Sequence, residues 1–91
     1  MHKDCDAALR RLKAAASFDS RGLVELRMGQ YDRAIADYNA ALKLNPRTAW
    51  SLYGRGLARR HKNDPSAQND LNAALAIDPA LAARAQALGL S

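Results

Sequence analysis

Three copies of one six-residue pattern stand 33 residues apart: DCDAAL at 4–9, DYNAAL at 37–42 and DLNAAL at 70–75. The later two copies agree over a longer stretch, AIADYNAALKLNP at 34–46 and AQNDLNAALAIDP at 67–79. A second echo, Arg21-Gly22-Leu23 and Arg55-Gly56-Leu57, is offset by 34. One residue is therefore lost between the two elements of the second unit, in a turn, where length changes are tolerated. A chain with such a period builds its core by stacking units, each too small to cover its own apolar face.

Each unit reads as two helices. Ala34, Ile35, Tyr38, Ala41 and Leu42 recur with helical period and give one apolar stripe. Pro46 and Pro79 stop the second helix of each unit, since proline cannot continue a helix and pushes its predecessor out of the helical region. Asp78 before Pro79 and Thr48 before Ala49 suit helix starts. Gly29-Gln30 and Asn63-Asp64-Pro65 carry turn chemistry between the helices. The spacing predicts six helices, at about 3–13, 16–28, 31–44, 49–62, 66–77 and 80–88. Residues 13–16 (KAAA) are good helix formers without a breaker. A bend is nevertheless expected at 13–17, because the repeat register requires the chain to reverse. One straight helix is the alternative, and it would release the first segment to pack on another molecule.

Composition agrees with an all-α chain. The hydrophobic fraction is 48%, dominated by Ala and Leu, with 5% aromatics, which disfavours strands. One cysteine, Cys5, excludes an internal disulfide, and Cys5, His2 and His61 are too few and scattered for a zinc site. No apolar run approaches a membrane span and no signal peptide opens the chain, so a cytoplasmic setting without membrane contact is expected.

A helix pair repeating at about 34 residues, with small residues in each helix and a closing proline, resembles the tetratricopeptide repeat. The carrying residues are Phe18, Gly22, Gly29, Tyr31, Ala34, Tyr38, Ala41 and Pro46, then Leu52, Gly56, Ala67, Leu71, Ala74 and Pro79. In this reading Gly22 and Gly56 let the first helix approach the second, and Ala34, Ala41, Ala67 and Ala74 do so from the other side. Phe18, Tyr38, Leu52 and Leu71 fill the space between units. The resemblance implies a short right-handed solenoid of antiparallel helix pairs in one domain over 1–91. Residues 1–14 form a half repeat, 15–46 and 47–79 two repeats, and 80–91 a closing helix with Leu81, Ala85 and Leu88 on one face. The sequence departs from the family at Arg21 and Arg55, where Leu is common, and at Glu25 and Arg59, where a large apolar residue is usual. The Arg stems are expected to pack with their charges in solvent.

No catalytic constellation stands out, and the expectation is not an enzyme, without cofactor or metal. Asp4, Asp37 and Asp70 recur with the repeat, which marks them as structural. Cys5 takes the place of Tyr38 and Leu71 and reads as a small buried hydrophobe. His61 has no nearby partner for acid–base work and reads as solvated. Gly54-Arg55-Gly56 lies inside a helix and is no phosphate loop.

Binding is the better reading. The family's inner surface maps to Ala16, Asp19, Ser20, Leu23, Leu26 and Arg27, then Trp50, Tyr53, Gly54, Leu57, Arg60 and His61. Trp50, Tyr53, Leu57 and Arg60 follow at three- or four-residue steps and share one face. With Leu23 and Arg27 they are the candidate site for a protein or peptide partner, because aromatic and Arg side chains anchor interfaces. Some family members clamp the carboxylate of a chaperone tail. Asp19 and Leu23 stand where that clamp's leading Lys and Asn would be, so that role does not carry over. Between Tyr38 and Asn63 there is no acidic residue, while Lys43, Arg47, Arg55, Arg59, Arg60 and Lys62 give a local charge of +6, against +5 for the whole chain. A second reading is therefore a basic module for nucleic acid or a ribonucleoprotein. Finally, the first segment is a second helix without its first helix, so the N-terminal edge is expected to continue an array or to self-associate through the apolar stripe of Cys5, Ala8, Leu9 and Leu12.

Overall fold

The computed structural model describes residues 2–90, with side chains from residue 6 onward; Asp4 and Cys5, assigned above to structural and buried roles, lie outside the described side chains. Five helices follow in order: α1 (His2–Arg27), α2 (Tyr31–Leu44), α3 (Ala49–His61), α4 (Ala67–Ile77) and α5 (Leu81–Ala87). No strand occurs among the described residues. Consecutive helices from α1 to α4 pack on one another, α1 also meets α3, and α5 rests on α3 and α4.

The expected bend at 13–17 and the count of six helices are corrected. Residues 2–27 form one unbroken α-helix of 26 residues. Lys13, Ala14, Ala15 and Ala16 continue the hydrogen-bond ladder at no propensity cost, and no proline or glycine interrupts it. At about 1.5 Å per residue α1 is about 39 Å long, against a longest molecular dimension of 45 Å.

Three helix ends share one device. Gly29 (φ 80°), Asn63 (φ 60°) and Gly89 (φ 76°) adopt the left-handed conformation. The amide after each reaches back to the last turn: Gln30 N to Glu25 O at 2.8 Å, Asp64 N to Arg59 O at 2.9 Å, and Leu90 N to Ala85 O at 2.8 Å. This closure satisfies orphan carbonyls and turns the chain sharply. Asp64 and Asp78 then open the following segments, their carboxylates accepting the amides of Ser66 at 2.9 Å and Ala80 at 3.1 Å. Thr48 precedes α3, but its hydroxyl donates to Asn45 O at 3.1 Å and makes no side-chain cap.

The core runs along the seam of the hairpins and contains Leu26, Ala34, Tyr38, Leu57, Ala58, Leu71, Ala85 and Leu90. Tyr38 is fully buried. Its ring sits against both Gly22 and Gly54, where added Cβ atoms would lie 3.0 Å and 2.3 Å from Cζ. At Gly56 a Cβ would come within 2.9 Å of Leu71 and 3.2 Å of the Ala67 carbonyl oxygen. Gly22 and Gly56 are thus close-approach positions, as expected. Gly54 is corrected: it is buried beneath Tyr38 and does not face the inner surface.

The closing helix is also corrected at its end. Leu81 and Ala85 are buried, but Leu88 is 43% exposed. The turn at Gly89 points Leu90 inward instead, leaving it 8% exposed.

Gly54→Ala should lower stability by about 1–3 kcal/mol through overpacking against Tyr38, although alanine gains about 1 kcal/mol in helix propensity. Gly22→Ala should cost less. Thermal denaturation of both variants checks the order, and a stabilised Gly54→Ala protein would contradict the wedge.

Candidate interaction surface and its supporting ion pairs

The repeat carries its own electrostatic lattice. Arg21 clasps Asp37 with Nε to Oδ2 at 2.8 Å and Nη2 to Oδ1 at 2.6 Å. One unit later Arg55 clasps Asp70 in the same way, at 3.0 and 2.8 Å. Both are two-point guanidinium–carboxylate forks, the geometry that makes such pairs strong and directional. Both carboxylates are 9% exposed. Arg21 stays 62% exposed, whereas Arg55 is 20% exposed and also donates to Asn39 Oδ1 at 2.9 Å. The expected solvent-facing charge is corrected at Arg55, which is mostly buried, whereas Arg21 reaches solvent while tied to the acid of the paired helix. Both recurrences were visible in the sequence, Asp at 33 and Arg at 34; their joining needed the helix pairing.

The residue one turn later differs between units. Arg59 adds a second cation to Asp70, at 2.7 Å. Glu25 stands there in the first unit. The neighbouring Asp37 carboxylate, and then burial, raise the Glu25 pKa above its ordinary 4.5. The hydrogen bond from Arg21 holds Asp37 below its ordinary 3.8 against the opposing effect of burial. Asp37 therefore supports the fold above 3.8 and loses that support as pH falls through its lowered value. Glu25 acts in the opposite sense, supporting the fold below 4.5 and losing that contribution as pH rises through its raised value.

On the α1–α3 face the structure sorts the sequence candidates. Trp50 and Tyr53 are half-buried, packed against the core on one side, with ring centroids 6.4 Å apart and planes 18° apart. Leu23, on α1, is half-buried and also packs against the core, and Arg60 is exposed. Leu57 is corrected to a core residue, 1% exposed, because the C-terminal residues cover it. Leu26, Arg27, Leu57, His61, Gly89 and Leu90 line one cleft of about 260 Å³. Arg27 is exposed and donates from Nη2 to the Leu88 carbonyl oxygen at 3.1 Å, so its partner here is the chain's own tail. His61, read as solvated, stacks on Tyr31 with centroids 4.7 Å apart and planes 3° apart.

Between Trp50 and α1, Ser51 Oγ donates to Asp19 Oδ1 at 2.9 Å. Burial raises the Asp19 pKa, and the Ser51 hydrogen bond opposes that shift. This bridge, which the sequence reading missed, holds α1 and α3 in register beside the aromatic pair.

Half of the six cations in the basic stretch are paired within the fold. Arg55 and Arg59 serve Asp70, and Lys62 pairs with Asp32. Lys43, Arg47 and Arg60 remain exposed.

Among the described residues there is no cluster of His, Cys, Asp or Glu able to hold a metal ion, and no helix long and apolar enough to cross a membrane. Stacked helix hairpins tied by repeat-borne contacts, with an aromatic pair on the face of the first helices, define a helical-repeat protein. A family model described as the TPR repeat matches residues 22–60. Over that stretch, from Gly22 in α1 to Arg60 in α3, the chain is similar to the tetratricopeptide repeat. Comparison with curated proteins and with solved structures gave no match.

Two substitutions probe the lattice. Asp70→Asn leaves Arg55 and Arg59 without their carboxylate and should cost about 1–3 kcal/mol in denaturant unfolding. Glu25→Gln should flatten the loss of stability that the native chain shows as pH rises above 4.5. An unchanged pH profile would remove Glu25 from the account.

Proposed function

We propose that the chain is a scaffold that holds a peptide or a partner domain across the face formed by α1 and α3. Trp50 and Tyr53 are its anchors, with Leu23 and Arg60 beside them. One observation carries this reading: the protein's own C-terminal residues already lie at one end of that face. Leu90 packs with Leu26 and Leu57 in the core, and the Leu88 carbonyl accepts a hydrogen bond from Arg27. An apolar side chain in a cleft and a backbone carbonyl satisfied by an Arg are the two contacts an extended peptide needs from a groove. The other end of the face, with Trp50 and Tyr53, is half-exposed.

The chemistry suits the role. Large aromatic side chains give much contact area for little lost rotamer freedom, and they recur as interface anchors. The packed hairpins hold the face in shape before binding, which limits the ordering cost of association. A second copy of the chain is one protein partner within this reading. The nucleic-acid alternative draws less support, because Arg55, Arg59 and Lys62 are engaged in ion pairs within the fold.

Trp50 is the single tryptophan, so its emission reports on this face alone. A peptide selected from a random display library against the chain should shift that emission on titration. Trp50→Ala should weaken the same peptide by about 1–3 kcal/mol with helicity unchanged. Equal affinity for the variant, measured by calorimetry, would move the binding site elsewhere.

A further inference from the structure

The N-terminal half of α1 carries a second-helix motif that no helix of the chain covers, although Leu12 and Ala16 border a cleft of about 150 Å³ with Asn45, Thr48 and Ser51. Residues 6–13 are all exposed. Leu9 and Leu12 are 50% and 53% exposed. At the matching repeat positions Ala41, Leu42 and Ala74 are 1%, 8% and 0% exposed, whereas Ala8 and Leu9 face solvent. The same motif is buried where a first helix lies beside it and bare where none does.

The complementary face is bare as well. On α3, Ser51, Gly54 and Ala58 are buried, with Gly54 directly beneath Tyr38 of α2. The 34-residue offset maps these three onto Ser17, Ser20 and Val24 of α1, and all three are exposed, Val24 at 55%. One chain thus presents both a second helix lacking its receptor and a first-helix face lacking its cover. It cannot join them itself, because both lie on one straight helix. Leu9, Leu12, Ala16, Ser20 and Val24, spaced by three or four residues, make a single exposed stripe along that helix.

We infer that two copies of the chain exchange these halves, pairing their α1 helices antiparallel about a two-fold axis. This rests on the reading of the chain as a protein-interaction module and names a second copy as the partner at α1. The register follows from the α2–α3 packing. Tyr38 lies opposite Gly54; shifted by 33 and 34 residues, that pair becomes positions 5 and 20. Leu9 of one copy then faces Ala16 of the other, and the two Leu12 side chains flank the axis. The two contacts are equivalent, so the arrangement closes on itself as a dimer and does not propagate.

Sedimentation of the 91-residue chain should show the mass rising from 9.9 kDa toward about twice that value as concentration rises through the micromolar range. Leu9→Glu with Leu12→Glu should weaken association by about a hundredfold. Its circular dichroism should stay native, because neither side chain contributes to the core of the single chain. In a Cys5→Ser background, Leu12→Cys should form a covalent dimer under a mild oxidant, and Val24→Cys should not. Cross-linking at Val24 but not Leu12 would overturn the register. A strict monomer at every concentration would overturn the exchange and leave the stripe to a helix of another protein. Trp50-dependent peptide binding is measured separately, since Leu9 and Leu12 are not among its proposed contacts.

Discussion

The ring of Tyr38 sets the spacing on which the remaining packing depends. It enters from α2 and meets two glycines, Gly22 on α1 and Gly54 on α3, so one side chain fixes the distance of both neighbouring helices. A glycine inside a helix costs about 1 kcal/mol relative to alanine, and here two are kept so that a large aromatic can be buried between helices. The ring is fully buried, and its hydroxyl has no hydrogen-bond partner among the described residues. Burial, and then the nearby acids Asp19, Glu25 and Asp37, raise its pKa, so it stays neutral at physiological pH. The wedge also bears on the placement of the aromatic pair. Gly54 is the residue after Tyr53, so the depth to which Tyr38 enters fixes how the Trp50–Tyr53 pair stands on the α3 face.

Around this apolar wedge the Arg–Asp forks supply direction. Dispersion and hydrophobic burial tolerate sliding along a seam, whereas a two-point guanidinium–carboxylate pair fixes rotation and register together. Arg21–Asp37 and Arg55–Asp70 do this once per hairpin, each joining a first helix to its own second helix. They occupy positions where the repeat that the sequence resembles commonly has leucine, and the trade has physical sense in a small helical core. A small core offers few ways to discriminate registers, and a buried carboxylate without its cation would cost far more than a shifted leucine. The second hairpin is the better clasped, with Arg59 added to Asp70. The first substitutes Glu25 and must accommodate two carboxyl groups side by side.

The periodicity alone made the two hairpins legible, down to the turn that absorbs the missing residue. It misled at residues 13–17, where two rules compete. Repeat register asks for a reversal, but Lys13, Ala14, Ala15 and Ala16 offer no residue that leaves the helix, and local propensity prevails. It misled again at Leu88 and Leu90: helical spacing puts Leu88 on the buried face, yet Gly89 in the left-handed conformation ends the helix and turns Leu90 inward. At the candidate site, Trp50 and Tyr53 were legible as an aromatic face, while Leu57 was not legible as core, because its cover comes from residues 33 positions later. The Asp19–Ser51 bridge spans 32 residues and has no local signature.

The two edges of the described helices meet the same physical problem in opposite ways. A repeat unit leaves one face of its outer helices bare, and water must be kept from it by a cap or a partner. At the C-terminal side the chain supplies the cap: α5 rests on α3 and α4, and the tail continues across the first-helix face until Leu90 is buried and Leu88 is hydrogen-bonded to Arg27. Gly89 and Leu90 share one cleft with Leu26, Arg27, Leu57 and His61, so this covering lies partly on the face proposed for a partner. At the N-terminal side no fold-back occurs. The helix runs straight and keeps its apolar stripe outward, sacrificing the burial of Leu9 and Leu12 within the chain for an uninterrupted ladder of hydrogen bonds. The same sequence motif thus contributes core residues at 37–42 and at 70–75, but its described residues 6–9 are exposed. What changes is the presence of a first helix beside it: burial in a repeat protein belongs to the pair of helices and not to the residue.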